Sequence, residues 1–175
     1  MARRPARPAR PGPSRPDLTG RSDRSAAPCP CGLPAAYGAC CGRFHSGAAG
    51  AATATTPPAA VPPPTGAISP TAVTPPTAEL LMRSRYSAFA VGDEPYLLRS
   101  WAPATRPPGV DLDPAVRWTS LEILETTDGT PFHTTGTVTF RARFTHQGKP
   151  GVLSERSRFA RHEGAWVYVD GTVAE

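Results

Sequence analysis

A helical pattern of apolar residues begins at residue 77 and changes to strand-like alternation further along the chain. Thr77 is suited to cap a helix, and apolar side chains recur at helical spacing up to Gly92, so a helix is predicted over 77–91. Asp93 is a second capping residue, and it predicts another helix that ends near Trp101.

Apolar and polar residues alternate in the second half of the chain, most clearly over 135–146. Glycine-containing pairs typical of tight turns separate this segment from its neighbours. Four strands are therefore predicted, over 116–126, 135–146, 151–162 and 165–170. Two helices followed by an antiparallel meander indicate an α+β fold, in which the helices cover one face of the sheet.

Proline and aromatic residues divide the chain into a globular part and its extensions. Of the 23 prolines, 16 precede residue 77, whereas 11 of the 13 aromatic residues follow it. A packed core needs large apolar side chains, so the folded domain is predicted over 77–175. Residues 47–76 form an Ala/Thr/Pro-rich linker, and residues 1–28 form an Arg/Pro-rich tail that we expect to be disordered.

The net charge of +5 comes entirely from the tail, which holds seven Arg and two Asp. The rest of the chain is neutral, so nucleic-acid binding is expected only weakly and only through residues 1–28. The longest charge-free stretch is too rich in proline to span a membrane, and no apolar signal segment follows the first arginines. A cytoplasmic location, without membrane association, is therefore expected.

All four cysteines lie within a short segment as a C-x-C-x8-C-C pattern, at Cys29, Cys31, Cys40 and Cys41. Each pair is followed by glycine, which favours a tight turn, and four thiolates suit tetrahedral zinc. His45 is a chemically suitable substitute for one ligand, although four cysteines are favoured. Such a site has no open position and is therefore structural. A redox dithiol is the alternative.

The cysteine segment CPCGLPAAYGACCG resembles the SEC-C zinc motif, which also occurs at the C-terminal tail of the preprotein-translocase ATPase SecA. With PTAELLMRSRYSAF, YLLRSW and SRFARHEGAWVYVDG, the chain resembles the YchJ-like family of uncharacterised bacterial proteins. The resemblance covers 28–46 and 76–172. It implies a cone-shaped nuclear transport factor 2-like domain after a zinc knuckle at 29–46, and it carries over the four cysteines as zinc ligands.

A cone-shaped domain leaves room for a pocket between its long helix and its sheet. Arg85 and Glu155 interrupt apolar stripes and are predicted to point inward, either as a buried ion pair or as polar groups of a ligand or acid/base site. The candidate pocket residues are Arg85, Tyr86, Trp101, Trp118, Glu155 and Trp166. No convincing catalytic constellation is present in the sequence.

Two hypotheses about function follow. The first is an interaction protein, in which a zinc knuckle tethered by the linker binds a protein or ribosomal partner, by analogy with the SecA tail. The second is a small-molecule-binding protein or enzyme that uses the pocket around Glu155, Arg85 and Trp118. Folds of this type often form homodimers through the open sheet face, so a homodimer is also a prediction.

Overall fold

The computed structural model describes residues 24–46 and 73–173. The first range forms a small, turn-rich unit, which we call the knuckle. It contains a 3₁₀ helix over Tyr37–Ala39 and a short helix α1 over Gly42–His45. The cysteines lie in the turns around these two elements.

The last residues of the predicted tail belong to the knuckle. The carbonyl of Ala27 accepts a hydrogen bond from the backbone N–H of Tyr37 at 2.7 Å, and Pro28 pairs with Ala36, so the end of the tail is paired with the cysteine segment. The predictions for the rest of the tail and for most of the linker fall outside the described residues.

Two further helices are α2, over Ala78–Val91, and α3, over Glu94–Arg99. Thr77 and Asp93 cap them through side-chain oxygens that accept backbone hydrogen bonds, as their positions predict. Gly92 ends α2 in the left-handed conformation, at φ 76°, which glycine adopts without strain. No helix in the part of the chain that the structure describes is long and apolar enough to cross a membrane.

The second half of the described chain forms one antiparallel sheet with its four strands in sequence order. The strands are β1 (Val116–Asp128), β2 (Thr135–His146), β3 (Lys149–His162) and β4 (Ala165–Val173). Two tight turns, Gln147–Gly148 and Glu163–Gly164, have positive φ at both residues, which suits hairpins. The predicted α+β fold, with helices on a four-stranded curved sheet, is confirmed.

The main core lies between α2 and the inward face of the sheet. Leu81 of α2, Val138 of β2 and Phe159 of β3 are almost completely buried there. The whole cluster comprises Ala78, Leu81, Met82, Tyr86, Val138, Phe140, Ala142, Phe159 and Trp166. These are the positions that the helical period and the alternation of the strands place on one side, so burial of their apolar surface holds the two layers together.

The knuckle packs against the other side of the helices. Phe44 is buried in a second cluster with Ala88, Tyr96 and Leu97, and the guanidinium of Arg99 donates hydrogen bonds to the carbonyl of Phe44 at 3.2 Å. The sequence predicts a knuckle joined to the domain only by a linker. In the structure, the two form one packed unit, because Phe44 needs an apolar surface that the small knuckle does not provide.

We predict that Phe44→Ala lowers the free energy of unfolding by about 3–5 kcal/mol, the usual cost of removing a buried phenylalanine. Phe132→Ala is the matched control, because Phe132 is 95% exposed and its loss is expected to change stability by less than about 0.5 kcal/mol. Urea unfolding followed by tryptophan fluorescence measures both. Equal stability of the two variants would show that the knuckle is not part of the cooperative fold.

Candidate metal centre and cavity

The four cysteines converge on one point. Their Sγ atoms all lie within 4.8 Å of one another, with 3.6 Å between those of Cys31 and Cys40 and 4.0 Å between those of Cys40 and Cys41. A tetrahedral metal with metal–sulfur bonds of about 2.3 Å separates its sulfur ligands by about 3.8 Å. All four side chains are buried, so the cluster has the composition and spacing of a metal-binding site.

Two glycines allow the cysteine pairs to approach each other. Gly32 follows the first pair and has φ 83°, a left-handed conformation that favours glycine. Gly42 follows the second pair and lies so close to Tyr37 that a Cβ atom would be 2.7 Å from its carbonyl oxygen. The residue after each pair is therefore constrained by the turn that brings the sulfur atoms together.

Helix α2 contributes to the surroundings of the cysteine cluster. The hydroxyl of Ser87, which is completely buried, lies 3.7 Å from Sγ of Cys29, and the guanidinium of Arg83 donates to the carbonyl of Cys31 at 3.1 Å. Donors of this kind orient metal ligands and stabilise their negative charge. The cluster is thus built by the knuckle and supported by the helix.

The protonation of the thiols also points to a cation. Hydrogen bonds from Cys31 and then from Cys41 lower the pKa of Cys29. The same contact with Cys29 raises the pKa of Cys31 to about 12 and also raises the pKa of Cys41. These opposite shifts mean that ionisation of one thiol opposes ionisation of its neighbours. A divalent cation stabilises several thiolates at once, because its charge offsets their mutual repulsion.

His45 is not placed as a ligand. Its Nδ1 accepts a hydrogen bond from the hydroxyl of Tyr37 at 2.6 Å, and its Nε2 donates to the carbonyl of Ser84 at 2.9 Å. Burial lowers the pKa of His45, which favours the neutral ring that these two bonds require. His45 thus lies outside the group of four cysteines, because its ring nitrogens already bond within the knuckle and to α2.

A cavity of about 270 Å³ lies between α2 and the sheet. Five of the six candidate pocket residues line it, namely Arg85, Tyr86, Trp101, Trp118 and Glu155. Trp118 makes edge-to-face contacts with Tyr86 and Phe144, with ring centroids 5.8 and 5.4 Å apart. One part of the lining is therefore aromatic and apolar, and another part carries the two charged side chains.

Trp166, the sixth candidate, lies outside this lining. Its Nε1 donates to the carbonyl of Pro76 at 3.0 Å, and the guanidinium of Arg161 lies 4.6 Å from its ring centroid. The prediction is wrong here because β4 directs Trp166 toward the start of α2. Tyr168, two residues later on the same strand, lines the cavity instead.

Arg85 is only 3% exposed and is held by its surroundings at one nitrogen. Its Nη1 donates to the carbonyl of Leu97 at 2.8 Å and to the hydroxyl of Ser100 at 2.7 Å. Its guanidinium carbon lies 4.9 Å from the ring centroid of Trp101 and 4.4 Å from that of Tyr168. Burial lowers the pKa of Arg85 to about 10, so the group stays a cation at neutral pH.

Glu155 is held by two hydroxyl groups. Ser157 and Tyr168 both donate to its Oε1, at 2.6 and 3.3 Å. Burial, and then the charge of Glu155, raise the pKa of Tyr168 to about 12, so the phenol stays protonated as a donor. A Cβ atom on Gly171 would collide with this carboxyl group, so glycine at that position leaves room for it.

Arg85 and Glu155 do not form the predicted ion pair. Arg85 makes no salt bridge with any carboxylate of residues 24–46 and 73–173, because its guanidinium is directed to the end of α3. Sequence reasoning also missed Tyr168 and Ser157. Strand alternation was a usable signal for both, since Ser157 lies two residues after Glu155 on β3 and Tyr168 lies two residues after Trp166 on β4.

Residues 77–171 match a family model described as the middle, NTF2-like domain of YchJ. Over 149 residues, the chain is 55% identical to a UPF0225 protein of Streptomyces avermitilis, a match that covers 85% of this chain and 86% of that protein.

Two solved structures are similar to the chain. The solution structure of a SEC-C motif-containing protein from Rhodopseudomonas palustris has a TM-score of 0.63 at 25% identity, and it covers 85% of this chain and 100% of that one. The crystal structure of a SEC-C motif-containing protein from Psychrobacter arcticus has a TM-score of 0.61 at 23% identity, over 87% and 85% of the two chains. The second likeness bears on the fold alone.

We predict that His45→Ala keeps the metal content of the wild-type protein, because the histidine lies outside the ligand set. The same change is expected to cost about 1–3 kcal/mol of stability, since it leaves buried partners without their hydrogen bonds. Cys40→Ser is the comparison, and it should lose most of the metal. Metal content by plasma emission spectrometry and urea unfolding measure the two effects. Equal loss of metal in both variants would make His45 a ligand.

Proposed function

The chain belongs to the UPF0225 family of YchJ-like proteins, and we propose that it is a small-molecule-binding protein whose fold is stabilised by one structural zinc ion. The observation that carries the binding function is the buried cation of Arg85, which lines the cavity without a carboxylate partner in the described residues. The cysteine cluster carries the structural metal.

The donor set favours zinc in a structural role. Four sulfur donors without nitrogen or oxygen ligands are typical of zinc or of iron–sulfur clusters. Four protein ligands leave a zinc ion no open position for water or substrate. A bound metal would also supply folding free energy to the knuckle, whose apolar core is small. Zinc would then keep Phe44 and His45 in contact with the helices.

We expect about one zinc ion per chain in the full-length protein purified without added metal. Removal of the zinc by a chelator under reducing conditions should lower Tm by more than about 10 °C, since 1 kcal/mol corresponds to about 4–8 °C for a small domain. Plasma emission spectrometry and calorimetry measure these quantities. A metal-free protein with unchanged Tm, or iron in place of zinc, would contradict this assignment.

The cavity combines the features of a ligand site. Its volume of about 270 Å³ is close to the lower end of the roughly 300–1,000 Å³ of small-molecule sites. It exceeds the volume of about 150 Å³ that holds benzene in an engineered apolar cavity. A buried charge without a counter-ion is costly in the free protein, so a ligand that neutralises Arg85 would recover part of that cost.

Binding is a better account of this cavity than catalysis. Among the described residues that line it, Glu155 is the one carboxylate, and none is a histidine or cysteine. The groups present are suited to recognise charge and shape.

The protein or ribosomal partner and the homodimer stay predictions. The four cysteines are buried, and Cys29 contacts Ser87 of α2, which favours a structural role for the metal over direct contact of the thiolates with a partner. We therefore place the small-molecule function first.

The binding function predicts that toluene, used as a small apolar probe, enters the cavity. Ala142 lines the cavity and is almost completely buried, so Ala142→Leu should fill part of it and reduce saturation transfer to toluene in NMR by at least about fivefold. Overpacking costs about 1–3 kcal/mol, so Tm is measured alongside to confirm that the variant is folded.

Ala104→Leu is the matched control, because the same side chain is added at an exposed loop position, and it should leave saturation transfer unchanged. Equal signals from all three proteins would show that toluene binds elsewhere. No signal from the wild-type protein would contradict the binding function itself.

A further inference from the structure

The cavity presents hydrogen-bond donors that the described residues leave unused. Arg85 uses only Nη1 in its bonds to α3 and Ser100, and no hydrogen bond to the described residues engages Nε or Nη2. A guanidinium with two free donors in one plane matches the two oxygens of a carboxylate.

The cavity also presents an unused acceptor. The two hydroxyl groups that bind Glu155 both donate to Oε1, and no bond to the described residues engages Oε2. An acceptor of this kind suits an ammonium group, which carries three donors and a positive charge. Arg85 and Glu155 attract each other electrostatically but are not in salt-bridge contact, so the free cavity holds one cation and one anion that do not bond directly.

Two separate charges select against ligands with only one charge. An acid bound to Arg85 brings a second anion toward Glu155, and an amine bound to Glu155 brings a second cation toward Arg85. Either ligand leaves one of the two charges of the cavity without a partner, which is unfavourable in a partly or fully desolvated site. A ligand with a carboxylate and an ammonium group satisfies both residues at once.

The remaining lining suits a flat apolar body. Leu153 lies next to Glu155 on the inward face of β3 and also lines the cavity. The rings of Trp118 and Phe89 continue this lining, with their centroids 6.1 Å apart. Aromatic rings of this kind pack against a planar ligand at their faces or edges. The volume leaves room for a phenyl ring with a few additional atoms.

We infer that the cavity binds a small zwitterion, an amino-acid-like molecule with an aromatic or similarly flat side chain. Its carboxylate lies on Arg85, its ammonium group lies on Glu155, and its apolar body packs against Trp118. This assignment rests on the proposed function, since it names a ligand class for the same cavity.

Three probes that share a phenyl ring test the charge pattern on the zinc-loaded full chain. They are phenylalanine, which carries both charges, 3-phenylpropionate, which carries only the carboxylate, and phenethylamine, which carries only the ammonium group. Titrations followed by NMR at neutral pH should give an affinity for phenylalanine at least tenfold higher than for either of the other two.

Variants of the two charged residues test the carboxylate contact and the ammonium contact separately. Arg85→Gln should abolish the preference for phenylalanine over phenethylamine and keep the preference over 3-phenylpropionate. Glu155→Gln should produce the opposite pattern. A purely structural role of either residue would lower the affinity for all three probes together and would not exchange the preferences.

Two milder variants keep the test valid if Arg85→Gln does not fold. Arg85→Lys retains the charge but not the two-donor plane, and it should reduce the preference over phenethylamine without abolishing it. Gly171→Ala retains both charges but displaces the Glu155 carboxyl group, and it should reduce the preference over 3-phenylpropionate. Unchanged preferences in both variants would overturn the assigned contacts.

The outcomes separate this inference from the proposed function. If toluene binds but phenylalanine does not, or if the acid or the amine binds as tightly as phenylalanine, the zwitterion is wrong and the cavity function stands. If neither toluene nor phenylalanine binds, both are wrong. A tenfold preference that both charge variants alter as described supports both.

Discussion

Helix α2 is the element on which the rest of the structure depends, because it packs against the sheet on one side and against the knuckle on the other. Its apolar side, with Leu81 and Tyr86, forms the core with the sheet. Its other side carries Ser84 and Ser87, whose carbonyl and hydroxyl contact His45 and the cysteine cluster. A helix with one apolar stripe normally leaves its polar face to solvent. Here the knuckle covers part of that face, and buried hydrogen bonds replace the water.

The double packing also connects the metal site with the cavity. Arg83 and Ser87 contact the knuckle, and Arg85, two residues from each, lines the cavity. Tyr96 of α3 lies between the same two regions, since its hydroxyl bonds with Ser84 at 2.5 Å and its ring lies against His45 at 4.2 Å between centroids. The cysteine cluster and the cavity therefore share one pair of helices, and the position of Arg85 depends on the packing that holds the knuckle in place.

The sequence predicts those features that depend on local interactions. Thr77, Gly92 and Asp93 determine helix ends through bonds within a few residues, and the glycine turns determine the hairpins, so the fold class and most boundaries were accessible. The docking of the knuckle could not be predicted from the sequence. Phe44 and Ala88 are distant in the chain, and Ser84 and Ser87 have the residue type and spacing of solvent-facing positions. The direction of Arg85 was missed for a similar reason. A buried guanidinium is satisfied equally well by a carboxylate or by helix-end carbonyls, and the sequence does not distinguish them. The position of Trp166 was missed because the sequence does not show that β4 brings this residue to the start of α2.

Because the knuckle is docked on α2, the segment between Ser46 and Val73 begins and ends on the same folded body. The length of this segment then affects folding through the entropic cost of bringing its two ends together. The entropic cost of closing a flexible loop rises only with the logarithm of its length, by about 0.6 kcal/mol for each doubling. A long Ala/Thr/Pro-rich segment at this place therefore costs only slightly more to close than a short one.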